Sequence, residues 1–435
     1  MDHGLTEMHK AAISDQIAAS LLDEIPNGTE RAVTGVIELP GKATAVIGMR
    51  RAGKTMFLHQ RRRMHAASES RDAVPYLNFE DERLLGLTGS HLGVVVDEYR
   101  RLTAHLASER RPTWFLDEIQ NVKGWERFVR RLLDEGNRVY VSGSSAAMLS
   151  REIATSLRGR AWEVSIYPFG FQEFLIHHEV HGTRAKTEKA FMDYLTVGGF
   201  PEAQSLDVAT RRQLLTDYVD VAMLRDVVER HDVSNVSGLR WLVRHVLGNA
   251  GGAFSVEKFY ASLKSQGLAI SRDTVHALIN HLEDCFLIRV VWMETSSERQ
   301  RMVNPRKVYP IDQGLIPVFD RTGRSNIGHA LETAVLVEAL RRRCEVTYIK
   351  TAEGYEVDML LREPSGATHL VQVCADASAN ETSEREIRAL QEARALYREA
   401  IPWLLTVSRS GYAEAVPKGV RQITAYEWML MPEWT

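Results

Sequence analysis

Short apolar runs alternate with helical stretches between residues 36 and 170: ATAVIG (43–48), VPYLNF (74–79), TWFLDE (113–118), RVYVSGS (138–144) and WEVSIY (162–167). Five such runs with helices between them predict a parallel sheet covered on both faces. Ahead of them, Ile13, Ile17, Leu21 and Leu22 recur at helical spacing, a lead-in segment over 1–35. Residues 187–236 are poor in strands and read as helices, with the turn signal GGFPEA at 198–203. Between 238 and 312 the pattern becomes three helices and a β-hairpin. In the third helix Ser271 is the N-cap, Asp273 suits the first turn, and Val275, Leu278, Ile279 and Leu282 fall at i, i+3, i+4, i+7. The strands FLIRVVWM (286–293) and KVYPID (307–312) then flank the polar stretch ETSSERQRMVNPR, and three helices with a hairpin spell a winged helix. After a linker near 320–327, a helix HALETAVLVEALRRR, strands VTYIK, EVDMLL and HLVQVC, and a second long helix make a small α/β domain. The expected α/β organisation is a helical segment 1–35, a core 36–185, a helical lid 186–236, a winged helix 237–322 and a terminal domain 323–435.

Composition narrows the class. At roughly 150 residues per domain, 435 residues make about three domains. With 44% hydrophobic and 26% charged residues the chain is neither disordered nor collagen-like. Lys and Arg number 54 against 57 Asp and Glu, so the formal charge of −3 gives no global case for nucleic acid. Any such case rests on local patches. The three cysteines (Cys285, Cys344, Cys374) are too few and scattered for a disulfide framework or zinc knuckle, which fits a reducing cytoplasm. The start MDHGLTEMHK lacks the basic and apolar segments of a signal peptide, and no run of 18 apolar residues occurs. A soluble cytoplasmic protein without membrane contact is expected.

The chemistry begins at GMRRAGKT (48–55), which fits G-x-x-x-x-G-K-[ST] directly after a strand and before a helix. Backbone N–H groups of Gly48, Arg50, Arg51, Ala52, Gly53, Lys54, Thr55 and Met56 form the candidate phosphate cradle. Lys54 is expected to reach the β- and γ-phosphates of ATP and the Thr55 hydroxyl to coordinate Mg²⁺. The second element is WFLDEIQ (114–120), an apolar strand ending in two carboxylates. Asp117 is placed to hold Mg²⁺ through water, and Glu118 to polarise the attacking water.

With these motifs, FLDEIQNVKGWERFVRRLLDEG, YVSGSSAAMLSREIATSLRGR, YPFGFQEFL and GGFPEA make the chain resemble prokaryotic AAA-type P-loop ATPases. Members carry a helical lid, a winged helix and a C-terminal domain similar to PD-(D/E)XK nucleases. The resemblance runs from about residue 36 onward. It implies that Ser144 is the sensor-1 residue, with Ser142 the near alternative, and that Asn78 can restrain Glu118. It further implies that Arg158 or Arg160 is an arginine finger serving a neighbouring subunit, hence a homo-oligomer, a hexameric ring by family analogy. Sensor 2 stays open among Arg211, Arg212 and Arg225.

Between the hairpin strands, Arg299, Arg301, Arg306 and Lys307 stand against Glu298, a local +3 where a wing would meet DNA phosphates. Arg272 and its helix neighbours could add contacts, favouring structured or branched DNA over sequence-specific reading. In the terminal domain the resemblance sets Glu332 and Asp358 at the nuclease metal carboxylates. Gln372 and Cys374, however, replace the second carboxylate and the lysine, so an inactive nuclease-like domain is expected. The competing function is a nucleotide-controlled switch that docks or remodels a protein, and a weaker one an ATP-coupled nuclease. The cluster IHHEVHG (176–182) reads as solvated, and Cys285 as a core residue.

Overall fold

The computed structural model describes residues 6–104, 111–143, 157, 159–268, 270–320, 326–378 and 380–434. They form two compact units, Met1–Ile166 and Tyr167–Thr435.

In the N-terminal unit, strands β1 (Ala43–Ile47), β2 (Tyr76–Asn78), β3 (Thr113–Asp117), β4 (Arg138–Gly143) and β5 (Ala161–Ser165) form one sheet in the order β2-β3-β4-β1-β5. Every pairing is parallel. β1 and β3 are buried at all positions, as expected where helices cover both faces. Among its described residues the α-helices are α1 (Glu7–Leu22), α2 (Lys54–Ser68), α3 (Gly93–Thr103) and α4 (Glu126–Asp134). α1 starts at a capping box between Thr6 and His9 and buries Ile13 and Ile17, packing against α3 and β2. Leu22, on the predicted apolar stripe, is exposed.

The C-terminal unit begins with helices Phe171–His177, Arg184–Val197 and Val208–Val221. Three more follow: Val236–Gly248, Val256–Ser265 and Arg272–Asp284. In the last, Ser271 caps the Thr274 N–H at 3.0 Å, and Val275, Leu278, Ile279 and Leu282 are buried as their spacing predicts. Strands β6 (Ala253–Phe254), β7 (Ile288–Met293) and β8 (Arg306–Pro310) come next, then β9 (Glu345–Lys350), β10 (Glu356–Arg362), β11 (Thr368–Val373), β12 (Ile401–Thr406) and β13 (Arg421–Thr424). All eight join one mixed sheet, in the order β13-β12-β11-β10-β9-β7-β8-β6.

The hairpin β7–β8 is therefore no free wing. β7 pairs in parallel with β9, Trp292 opposite Thr347 and Met293 opposite Tyr348, so the edge that a lone hairpin would leave open is satisfied within the unit. The stretch between the two strands folds into the short helix Glu298–Val303.

One face of the sheet packs Met359, Leu361 and Val371 against Leu331 and Val335 of the Ile327–Arg341 helix. The other packs Val357, Leu360 and Leu370 against Leu390 of the Asn380–Leu396 helix. Val357 and Leu360 share a face despite odd spacing because the β9–β10 register slips between them. Such a bulge redirects the intervening residues, and Asp358 is one of them.

Candidate nucleotide site and a buried charge cluster

β1 ends in the phosphate-type loop. Gly48 has φ 151°, and a Cβ there would collide with the Ile166 carbonyl oxygen, so only glycine fits. Gly53, at φ 99°, leads directly into Lys54 at the start of α2. Lys54 is buried, and its ammonium donates to the carbonyls of Gly48 and Met49, each at 3.2 Å. Its nearest carboxylate is Glu118, at 3.7 Å. Within the loop Ala52 is buried, Arg51 and Thr55 are exposed, Arg50 lies 3.5 Å from Glu80, and Met56 is half-buried.

Asp117 closes β3, fully buried, and accepts three hydroxyls. Thr55 Oγ1 and Tyr76 OH each donate to Oδ2 at 2.8 Å, and Ser142 Oγ donates to Oδ1. Burial raises the Asp117 pKa, and the neighbouring Glu118 adds to it, against the three hydroxyls. Burial likewise raises Tyr76, reinforced by Asp117, which keeps its phenol a donor. Ser142 also accepts the Glu118 N–H at 2.9 Å. Glu118 itself sits at φ 51°, ψ 40°, a left-handed conformation costing about 1–2 kcal/mol for a residue with a side chain. Its carboxylate takes the Gln120 amide.

Ser142 reaches Asp117 and Glu118 because β4 lies between β1 and β3 in the sheet. Ser144 and Arg158 lie outside the described residues. Asn78 makes no described contact with Glu118. Its side chain accepts the Glu80 N–H at 2.9 Å, and its backbone is bonded by Gln16, so the hold on Glu118 falls to Ser142 and Gln120 instead. Arg160 is exposed and paired with Asp134. Arg211, Arg212 and Arg225, in the other unit, bond Leu206 O, Val318 O and Glu229 respectively.

Two partners had no sequence signal. Tyr76 is one. The other is Arg31, buried at 4% exposure, which donates to the Ala52 carbonyl at 2.7 Å while its backbone exchanges hydrogen bonds with Gln60 on α2.

In the C-terminal unit the structure corrects the wing. Arg306 is buried, bonded to His276 Nδ1 at 2.9 Å and set over the Trp292 ring. Lys307 is buried at 5% exposure, its ammonium 3.1 Å from Glu332, 3.1 Å from Asp358 and 2.8 Å from Glu356. Neither can meet a DNA backbone, because β8 is an inner strand covered on both faces, Arg306 by His276 and Trp292 and Lys307 by the three acids. Arg299 stays exposed, Arg301 lies over Trp292, and Arg272 pairs with Glu257 at 2.6 Å.

Two of the acids around Lys307 have a second donor each. Glu332 also accepts Tyr309 OH at 2.5 Å, and Asp358 Oδ2 accepts the Val373 N–H at 3.0 Å. Gln372 accepts the Asp358 N–H at 3.3 Å and donates to Glu386 at 2.5 Å. Cys374 is buried, its thiol bonded to the Asp376 carbonyl. Burial raises the Glu332 pKa to about 7, helped by Asp358 and opposed by Lys307. Burial disfavours the Lys307 charge, yet Asp358 and the other anions around it override that and raise its pKa, so it stays an ammonium. The His177–His181 stretch gathers no metal-type cluster among the described residues, with His178 on Gln204, and Cys285 is a core residue.

A glycine loop between β1 and α2, faced by the carboxylate end of β3 with β4 inserted between, defines a P-loop ATPase. The family model described as AAA domain matches residues 40–175, which makes this core one of the AAA type. A second model, for a domain of unknown function (DUF8612), matches residues 188–325. An uncharacterized protein of Methanocaldococcus jannaschii is 35% identical over 370 residues, 82% of this chain and 79% of that protein. The chain belongs to the family of that protein. An uncharacterized protein of Haemophilus influenzae is 27% identical over 391 residues, 88% of this chain and 93% of that protein. Among solved structures, a Walker-type ATPase of Pyrococcus abyssi aligns at 13% identity over 71% of this chain and 94% of that chain, with a TM-score of 0.39. The Aeropyrum pernix ORC1 protein in complex with DNA aligns at 14% identity over 73% and 93%, with a TM-score of 0.25. Scores of this size establish no shared whole-chain fold. No helix among the described residues is long and apolar enough to cross a membrane.

Proposed function

We propose that the N-terminal unit binds ATP with Mg²⁺ and hydrolyses it, and that the C-terminal unit applies the cycle to DNA. One observation carries the first part: Thr55 bonds Asp117, the Ser142 hydroxyl ties Asp117 to the Glu118 backbone, and Lys54 lies beside them on two carbonyls and 3.7 Å from Glu118. The Thr55 hydroxyl and Asp117 carboxylate are hard oxygen donors of the kind Mg²⁺ takes, 2.8 Å apart, so the residues fit the ion. When bound, the ion supplies charge neutralisation at the β- and γ-phosphates. Lys54 exchanges its carbonyl contacts for phosphate oxygens, a stronger charge-assisted bond. Glu118, fixed through its backbone by Ser142, orients a water and takes its proton. Arg31 steadies the apex of the loop through the Ala52 carbonyl.

An arginine finger from a second copy would complete the site. Arg160 can serve only by leaving Asp134, and that cost is small for an exposed pair. The DNA part is supported by the three-helix and hairpin arrangement and by Arg299, with Arg301 beside it, not by Arg306 or Lys307.

Glu118→Gln tests the catalytic reading: ATP binding should persist while turnover falls about 10²–10⁴-fold. Undiminished turnover would sink the assignment. Duplex, forked and four-way DNA should be compared as stimulators of turnover. Stimulation by none of them would favour a protein target instead.

A further inference from the structure

We propose that the outer face of the Val236–Gly248 helix is a contact surface for an unpaired nucleic-acid strand, a site that deepens the DNA reading above and rests on it. The helix buries Leu239, Leu242, Val243, Val246 and Leu247. Its opposite stripe, at i, i+3, i+4 and i+7, is Ser237, Arg240, Trp241 and Arg244, all exposed and with no acid among them.

Two features of this stripe stand open to solvent. The first is Trp241, 43% exposed, whereas Trp114, Trp125, Trp403, Trp428 and Trp434 are each at 3% or less. An indole offers a large apolar face that folding normally buries. The second is the arginine pair. Three other exposed helical cations of this unit meet an acid one turn away: Arg184 with Glu188 at 3.5 Å, Lys189 with Asp193 at 2.8 Å, Arg225 with Glu229 at 3.0 Å. The residue one turn after Arg240 is Arg244, and Gly248 follows that, so the sequence supplies neither with an acid. Among the described residues neither makes an ion pair. Like charges at i, i+4 repel and weaken a helix, so such a pair is suited to an anion from outside.

The geometry selects the class of anion. Two guanidiniums one turn apart, roughly 5–6 Å at Cβ, can take neighbouring phosphates of one strand. The indole beside them can stack on a base whose face is free. A duplex hides its base faces, which leaves the tryptophan idle. A single strand, or the open part of a branched DNA, uses all three side chains.

The test uses the full chain and a fluorescein-labelled oligothymidylate of about 20 nucleotides, followed by anisotropy from about 50 mM salt upward. Trp241→Ala should weaken binding roughly 5- to 150-fold with the salt dependence unchanged, and Trp241→Phe should recover most of it. Arg240→Gln with Arg244→Gln should lower the slope of log affinity against log salt by about 1.4, at roughly 0.7 for each phosphate no longer neutralised. All three positions are exposed, and an unchanged far-ultraviolet spectrum verifies the fold. Wild-type affinity and slope in these variants, or no binding of the oligonucleotide by the wild type, would overturn the surface. If DNA still stimulates ATP turnover in that event, only this surface fails. If the oligonucleotide binds as expected but no DNA alters turnover, the coupling of ATP to DNA fails and the surface stands.

Discussion

Each unit of this protein buries a lysine beside carboxylates, and the two lysines are opposites. Lys54 and Lys307 are both 5% exposed, so burial does not separate them. Contacts do. Lys54 holds two neutral carbonyls at 3.2 Å and stands 3.7 Å from one carboxylate, Glu118, beyond hydrogen-bond distance. Lys307 lies within 3.1 Å of three carboxylates from two other elements, and two of them, Glu332 and Asp358, have a further donor each. A phosphate can displace a carbonyl. No ordinary ligand displaces three carboxylates. The comparison teaches that a buried cation marks a ligand site when it is under-satisfied, and a structural joint when it is saturated.

Lys54→Met should show the largest effect, lowering ATP turnover by about 10²–10³-fold, because it removes a pre-organised charge aimed at the phosphates. Its urea midpoint should move less than that of Lys307→Met, since the ammonium gives up two hydrogen bonds to carbonyls and one 3.7 Å ion pair with Glu118. Lys307→Met should do the reverse, destabilising the C-terminal unit by about 3–5 kcal/mol as buried carboxylates lose their counterion. Asp358→Asn on top of it should restore part of that stability, measured as a double-mutant cycle.

Smaller effects refine the comparison. Ser142→Ala should cost about 1–3 kcal/mol in the N-terminal unit, by leaving the buried Asp117 oxygen and the Glu118 N–H short of a partner, and turnover should fall with it. The slightest change is one of pH dependence. Burial raises Glu332 from 4.5 to about 7, so the folded protein holds a proton that the unfolded chain releases earlier. Stability from this group is complete below pH 4.5 and is lost as pH rises through 7. Glu332→Gln should flatten that fall, compared by urea midpoints at about pH 5 and pH 8.

The nucleotide site was legible because its chemistry is local: a loop of eight residues and a strand end put glycines, Lys54, Thr55, Asp117 and Glu118 at fixed spacing. The five strands of the first sheet were legible from their apolar runs. The bonding of Ser142 to Asp117 was not, because it depends on the register of β4 against β1 and β3. Arg306 and Lys307 misled for a related reason. Counting charges in a loop cannot detect acids 25 and 51 residues away that fold onto the same strand. A hint was present, though, since Lys307 and Tyr309 alternate onto one face of KVYPID and both reach Glu332. Arg31 had no signal, as its use depends on a buried carbonyl in the loop.

The most direct measurement is thermal unfolding of the wild type, Lys54→Met and Lys307→Met, each with and without Mg-ATP. A ligand at a hundredfold excess over its Kd stabilises the unit that binds it by about 2.7 kcal/mol. Mg-ATP should therefore raise the N-terminal transition of the wild type and of Lys307→Met, and leave Lys54→Met where it was. An equal rise in Lys54→Met, or a rise missing only from Lys307→Met, would contradict the division of roles between the two lysines.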